Sequence, residues 1–303
     1  MTKHRPSIAA IGMFDGVHAG HRDLARRLCA RAAETGLCPM ALTFDRHPLE
    51  LVRPEWTPRL LTDPEQRRRL LEQCGIAEVV DMTFDQEMRR LTAREFMTHI
   101  RDTYNVRELV MGYDHHFGSD RLKDLADYQA IGDELGMTVD RCPEYRVDGL
   151  DMTASSSNVR RLLDAGNVAD AARMLCRPHS ITGKVVEGKR LGNTIGFPTA
   201  NIDAAPRMLV PANGVYAGTT VIDGVAMPAM TNIGTCPTVS DDAARTIETH
   251  IPGFDGDLYG KTLTVTFEHR LRDEQRFDSL TDLVAQLESD RQATLKLFSN
   301  DSH

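Results

Sequence analysis

The feature that most constrains this chain is a short apolar run, Ile8-Ala9-Ala10-Ile11, that passes through a glycine-rich turn into a helical stripe. The stripe is Leu24, Ala25, Leu28 and Ala32, has a 3.6-residue period, and stops at Gly36. A strand that turns straight into a helix opens a βα unit, and such units build parallel sheets. The turn itself reads Gly12-Met13-Phe14-Asp15-Gly16-Val17-His18-Ala19-Gly20-His21. Free backbone N–H groups and the helix dipole both point at a ligand there, which suits an anion. Gly12, Gly16 and Gly20 let the backbone approach a phosphate closely, and Phe14 and Asp15 are expected to belong to the same phosphate site. His18 and His21 lie one helical turn apart, so both rings can face one phosphate. A tight turn with two solvated histidines explains the histidines but not the glycines and Asp15 packed around them.

The pattern repeats to about residue 178. Met40 to Phe44, Glu78 to Met82, Glu108 to Met111 and Met137 to Cys142 read as strands. Asp63-Pro64-Glu65-Gln66 reads as an N-cap, a Pro at the first helical position and a capping-box glutamine, and Thr92-Ala93-Arg94-Glu95 as another capping box. A further helix is expected over Leu122, Leu125, Tyr128, Ile131 and Leu135, ending at Gly136. This predicts an α/β domain with a doubly wound, Rossmann-like parallel sheet, whose ligands sit at the carboxyl ends of the strands.

After about residue 178 helical periods give way to short strands and frequent glycine. Strands are expected at Val185-Val186, Gly214 to Ile222, Val225 to Met230, Thr246 to Ile251 and Leu263 to Phe267, with Asp223-Gly224 as a two-residue hairpin turn. A small closed antiparallel barrel follows, with one helix at the end carrying Leu280, Leu283, Val284 and Leu287 on one face. The expected domains are therefore 1–178 and 179–303.

A formal net charge of −8 over 303 residues argues against a general nucleic-acid binder. No apolar run is long enough to span a bilayer, and the first residues are not followed by a signal-peptide segment. The six cysteines are scattered without a Cys-x-x-Cys pair, which suits a reducing cytoplasm rather than a disulfide or zinc framework. Nothing in the sequence sets the oligomeric state.

Three more stretches carry chemistry. Gly112-Tyr113-Asp114-His115-His116-Phe117-Gly118 follows a strand and can meet a nucleotide; a metal at His115 and His116 is the alternative, although adjacent histidines diverge on regular backbone. Ser155-Ser156-Ser157-Asn158-Val159-Arg160 can cradle phosphate at a helix start, Arg160 adding a bidentate contact; a serine N-cap with surface arginines is the alternative. Gly188-Lys189-Arg190-Leu191-Gly192-Asn193-Thr194-Ile195-Gly196-Phe197-Pro198-Thr199-Ala200-Asn201 is glycine-rich without being a P-loop. It reads either as a mobile loop before a strand or as a nucleotide site. In the second reading Thr199 and Asn201, at i and i+2 on a strand, offer two neutral oxygens to one hard cation, Mg²⁺, while Lys189, Arg190 and the glycine backbone close over phosphates.

The Gly12–His21, Thr43–Pro48, Gly112–Gly118 and Ser155–Arg160 stretches together resemble the nucleotidyltransferases with a His-x-Gly-His signature. More narrowly they resemble the adenylyltransferase half of bacterial bifunctional riboflavin kinase/FAD synthetases. Pro198-Thr199-Ala200-Asn201, Gly214–Ala217, Asn232-Ile233-Gly234, Glu248-Thr249-His250 and Asp257–Gly260 resemble the riboflavin kinase half. The resemblance implies ATP as co-substrate, riboflavin and FMN as substrates, Mg²⁺ on Thr199 and Asn201, and Glu248 as general base for the ribityl hydroxyl. It implies that His18, His21 and Arg160 stabilise charge at the second reaction. The departures are Met13 for asparagine, His115 for phenylalanine, Ser157 for threonine and Cys236 for arginine. A flavin-binding or regulatory protein that has lost one or both activities is the alternative.

Overall fold

A computed structural model of the protein describes residues 4–188, 191–235 and 245–299. Lys189, Arg190 and Cys236, named above on sequence grounds, lie outside the described residues. The chain folds into two compact units, Met1–Ser156 and Ser157–His303.

The first unit runs β1 (Ser7–Ile11), α1 (Ala19–Thr35), β2 (Cys38–Phe44), α2 (Leu49–Val52), a 3₁₀ turn at Pro54–Trp56, α3 (Pro64–Gln73), β3 (Glu78–Met82), α4 (Gln86–Arg90), α5 (Ala93–Tyr104), β4 (Val106–Met111), α6 (Leu125–Leu135) and β5 (Thr138–Arg141). Its strands form one parallel sheet in the order β3-β2-β1-β4-β5. The central strand β1 is buried along its whole length. Successive side chains leave a strand on opposite faces, so its residues divide between two cores. Ile8 and Ala10 pack with Leu24 and Leu28 of α1 and Leu70 and Leu71 of α3. Ala9 and Ile11 pack with Phe96, Met97 and Ile100 of α5 and Tyr128 of α6.

The local signals act as expected. Asp63 caps α3 by accepting from the Gln66 N–H at 2.8 Å. Thr92 and Glu95 form the reciprocal capping box. Gly36 and Gly136 end α1 and α6 in the left-handed conformation that glycine adopts without strain. Some boundaries differ: β2 starts at Cys38, β4 at Val106 and β5 spans Thr138–Arg141, while α6 starts at Leu125, because Asp124 is extended, and Leu122 reaches the core from the preceding loop.

The second unit holds α7 (Ser156–Asp164, which begins on the last residue of the first unit), α8 (Val168–Leu175), β6 (His179–Val186), α9 (Leu191–Thr194), β7 (Thr199–Ala204), β8 (Gly214–Ile222), β9 (Val225–Thr235), β10 (Arg245–His250), β11 (Thr262–Phe267), β12 (His269–Arg272) and α10 (Leu280–Ser299). The strands run β11-β6-β7-β10-β9-β8 and close through a β11–β8 pairing into a six-stranded antiparallel barrel, with β12 paired beyond on β8. Asp223 and Gly224 both have positive φ, as a type I′ hairpin requires. Alternate residues fill the barrel, among them Ile181, Val185, Ile202, Ile247, Val265 and Phe267, all buried. Such a small barrel has no room inside for a ligand. Chemistry on these strands must therefore face outward, where α10 covers one side: Val284 and Leu287 pack on Phe197, Val215 and Met230. Arg272 of β12 and Asp290 of α10, joined at 2.8 Å with Asp290 only 4% exposed, tie the helix to the barrel.

Candidate active sites in the two units

The β1–α1 turn is tightly wound. Phe14, Gly16 and Val17 all have positive φ, and two of these are not glycine. Such backbone persists only where the surroundings hold it. Asp15 supplies much of that hold. It is 2% exposed, and its carboxylate accepts from the Leu61 and Thr62 N–H groups at 3.0 Å and from the Thr62 hydroxyl at 3.1 Å. The Thr62 hydroxyl in turn accepts from the Gly16 N–H. Thr43 and the buried Arg67 donate to the Met13 carbonyl. Asp15, named above as a phosphate-site residue, is thus turned under the loop as its anchor. Phe14 is likewise buried, 3% exposed, with its ring 5.2 Å from that of His21.

His18 is the N-cap residue of α1, and its ring stacks on His21 with centroids 3.7 Å apart. Gly20 makes room for this. A Cβ there would stand 3.3 Å from the His18 ring and 3.2 Å from the Ala154 carbonyl. Burial, with His18 and His115 nearby, holds the His21 imidazole well below its usual pKa. Its Nδ1 is buried with no hydrogen-bond partner among the described residues. The Gly112–Gly118 loop leaves β4, the neighbour of β1, at the same edge of the sheet. There His115 is pushed down to about 4, chiefly by burial, while Asp114 is exposed. Ser156 donates to the Asp15 carbonyl at 2.8 Å, so this hydroxyl also braces the turn. Ser155 precedes α7, and Arg160 lies on that helix in the second unit. Gly12 continues β1, its N–H bonded to the Leu42 carbonyl of β2.

In the second unit, strand register gathers the polar residues. Asn201 of β7 stands opposite Glu248 of β10, which stands opposite Asn232 of β9. One step along, Thr199 stands opposite His250, and His250 opposite Met230. Period-two alternation puts all of these on the outer face, since Ala200, Ile247 and Thr249 between them are buried on the other. Three cavities meet here. One of about 230 Å³, partly roofed by α10, is lined by Thr199, Glu248, His250, Asn232 and apolar residues such as Phe197. Glu248 and Asn232 also line a more polar cavity of about 440 Å³ beside Gly188 and Asn201. Thr199 also lines a third, of about 320 Å³, with Pro198 and Asp257. Glu248 and Thr199 thus stand at junctions between cavities, where two ligands can meet.

Two glycines of the preceding loop are required by close approach. A Cβ on Gly188 would fall onto the Asn201 amide, and one on Gly192 onto the Phe197 carbonyl. Gly196 has φ +82° and open space around it. His250 is 6% exposed and its Nδ1 lies 2.9 Å from the Pro198 carbonyl. Burial lowers its pKa, with Arg291 adding to the effect and the Pro198 bond opposing it. Sequence reasoning passed over Asn232, Thr62 and Arg67. Asn232 stood inside a quoted block, but only the β9–β10 register assigns it to the site.

Family models match the chain twice: FAD synthetase over residues 1–158 and riboflavin kinase over residues 175–298. A bifunctional riboflavin kinase/FMN adenylyltransferase from Pseudomonas fluorescens is 39% identical over 302 residues, covering 99% of this chain and 96% of that one. The protein of the same description from Escherichia coli K12 is 36% identical over 293 residues, covering 96% and 92%. A solved structure from Streptococcus pneumoniae, described as a macrolide-efflux protein, matches with a TM-score of 0.88 at 33% identity, covering 97% and 95%. The efflux description is that protein's; among the described residues here, no helix is long and apolar enough to cross a membrane.

Proposed function

This chain belongs to the bifunctional riboflavin kinase/FMN adenylyltransferase family, uniting ATP-dependent phosphorylation of riboflavin with adenylylation of FMN to FAD, and from that premise we propose how its residues divide the work. The outer barrel face performs the first reaction and the β1–α1 turn the second. We assign residues 1–178 to adenylyl transfer and 179–303 to the kinase; β6, the first barrel strand, starts at His179, although the compact units divide after Ser156, so that α7 and α8 pack with the barrel unit.

The observation that carries the kinase assignment is the Asn201–Glu248–Asn232 row at the junction of two cavities. Glu248 accepts the proton of the terminal ribityl hydroxyl as its oxygen attacks the γ-phosphate of ATP, and ADP leaves. Phosphoryl transfer depends mostly on positioning and charge neutralisation. The apolar cavity under α10 orients the flavin and keeps water out. Mg²⁺ fits Thr199 and Asn201: both present neutral hard oxygens on one face, and Gly188, with no Cβ, lets the Asn201 amide lie against the loop backbone. Bound there, the ion neutralises nucleotide phosphates. Lys189 and Arg190 remain in the proposal on sequence grounds.

In the second reaction the FMN phosphate attacks the α-phosphate of ATP and expels pyrophosphate. An ionised phosphate is already a nucleophile, so the site needs charge stabilisation rather than a strong base. His18, His21 and the α1 N-terminus supply it, and losing one such donor costs about 10²–10³ in rate. Arg160 remains in the proposal on sequence grounds. We place the enzyme in the cytoplasm, a reading supported by the cysteines of the described residues, which form no disulfide.

Separate assays test the division. His21→Ala should abolish FAD formation while FMN formation continues. Glu248→Ala should do the reverse, with added FMN still adenylylated. Loss of both products in either variant contradicts two separate sites.

A further inference from the structure

His250 has no part in the chemistry set out above, yet it is built like a recognition group. It is 6% exposed and lines the 230 Å³ cavity together with Glu248. Its Nδ1–H donates to the Pro198 carbonyl at 2.9 Å. In a neutral imidazole that bond fixes the tautomer and leaves Nε2 as a bare acceptor. This Nε2 is buried and has no hydrogen-bond partner among the described residues. A buried acceptor left unmade costs stability, and such an exception asks for a donor that arrives with a ligand.

The strand says which donor. His250 and Glu248 are two residues apart on one face of β10, about 7 Å along the strand. Glu248 sits at the polar junction, whereas His250 sits beside Phe197, ring centroids 5.2 Å apart, at the apolar end of the same cavity. A ribityl chain whose terminal hydroxyl is at Glu248 runs back towards its ring system past His250. The donors it carries on the way are secondary hydroxyls.

We propose that His250 is a positioning residue of the kinase step, its Nε2 accepting a hydrogen bond from a secondary ribityl hydroxyl of riboflavin. The proposal rests on the assignment of the Glu248 face to riboflavin phosphorylation. His250 aligns the polyol so that the terminal oxygen presents itself to Glu248, and it distinguishes a flavin with a polyol chain from one without.

Two substitutions separate this role from a structural one, because they keep opposite halves of the imidazole. His250→Asn retains a donor for the Pro198 carbonyl and removes the acceptor in the cavity. His250→Gln retains an acceptor near Nε2 and gives up the Pro198 bond. The readouts are the riboflavin KM of the kinase reaction and fluorescence-quenching titrations with riboflavin and with lumiflavin, which has the ring system but no ribityl chain. Losing one net hydrogen bond predicts a roughly 5- to 10-fold weakening for riboflavin in His250→Asn. Lumiflavin binding should be unchanged, and His250→Gln should lie within about 3-fold of the parent on the same scale. The reverse order, or equal weakening for both flavins, overturns the proposal. Retained lumiflavin binding and an unchanged thermal melt report that the barrel of each variant is folded. Glu248→Gln runs alongside: if it phosphorylates riboflavin normally, the kinase assignment itself has failed, independently of His250.

Discussion

Replacing Gly20 by alanine sets helix stability against catalytic geometry at one atom. Gly20 is the second residue of α1 and has ordinary helical backbone, so alanine is conformationally welcome. The gain is at most about 1 kcal/mol and smaller in a first turn. The added methyl would stand 3.2 Å from the Ala154 carbonyl and 3.3 Å from the His18 ring. Both are a few tenths of an ångström too close. The carbonyl belongs to backbone, whereas the imidazole can rotate, so the ring moves. It is stacked at 3.7 Å on His21, and the disturbance passes to both histidines. Misplacing a reacting group by 1 Å costs about 10²-fold, so a shift of a few tenths predicts roughly a 10-fold fall in kcat for FAD formation. The melting temperature should stay within about 3 °C, because the two stability effects nearly cancel. FMN formation should be untouched. The assay is chromatographic separation of flavins after incubation with FMN and ATP for the second reaction and with riboflavin and ATP for the first, beside thermal melting of the same sample. A folded variant making FAD at the parent rate refutes the claim that this glycine guards the histidine geometry. So does a variant that loses kinase activity equally.

Two further outcomes follow from the first unit. Asp15→Asn puts an amide donor against the donors of Leu61 and Thr62, so it should destabilise the unit by about 2–4 kcal/mol, read as an earlier urea midpoint; if instead stability holds and only the KM for ATP rises, Asp15 is a ligand residue rather than an anchor. His115 has a folded pKa of about 4, below the unfolded value of about 6.5. The folded state therefore binds fewer protons between these values, and stability is lost as pH falls through that window. Removing this group with His115→Phe should recover about 1–2 kcal/mol at pH 5 relative to pH 7 in urea unfolding, whereas a pH-independent difference between parent and variant contradicts the buried neutral imidazole.

The parts legible in sequence were those whose causes are local. The βα turn, the Thr92–Glu95 capping box, the Asp223-Gly224 hairpin and the glycine stops of α1 and α6 each depend on a few adjacent residues. What escaped depends on distant partners. Asp15 reads as a ligand residue beside two histidines, but its partners lie 46 residues on, and the Ser156 hydroxyl that braces the same turn comes from 141 residues away. Arg67 looks like one arginine in a basic run, yet it is 3% exposed and donates to two backbone carbonyls that support the turn. The helix α8 has its own cap, Asn167 accepting from the Asp170 N–H, in a stretch too short to show a period. The short β12 shows no alternation at all, with all four residues at least partly exposed.

The barrel half carries the wider lesson about where such a fold can keep an active site. Six strands leave an interior that Ile181, Val185, Ile202, Ile247, Val265 and Phe267 fill, so every polar catalytic group must point away from the core. An outward-facing carboxylate on a strand is ordinarily bathed in water, which weakens each electrostatic contact it makes. Here α10 lies over that face, its Leu283 and Leu287 lining the cavity that Glu248 and His250 enter. The helix stays there through an ion pair with little access to water, Arg272–Asp290, and through Gln286, which donates to the second Asp290 oxygen at 2.9 Å. Burying an ion pair is a poor way to gain stability over apolar packing. It is a good way to fix one register of a helix on a curved surface, because a half-turn slip would strand a charge. The same Arg272 lines the cavity, so the tie that positions the roof is also part of the wall. On the proposed assignment of the Glu248 face to the kinase reaction, the terminal helix is a component of that site, without which the Asn201–Glu248–Asn232 row would be a solvated strand surface.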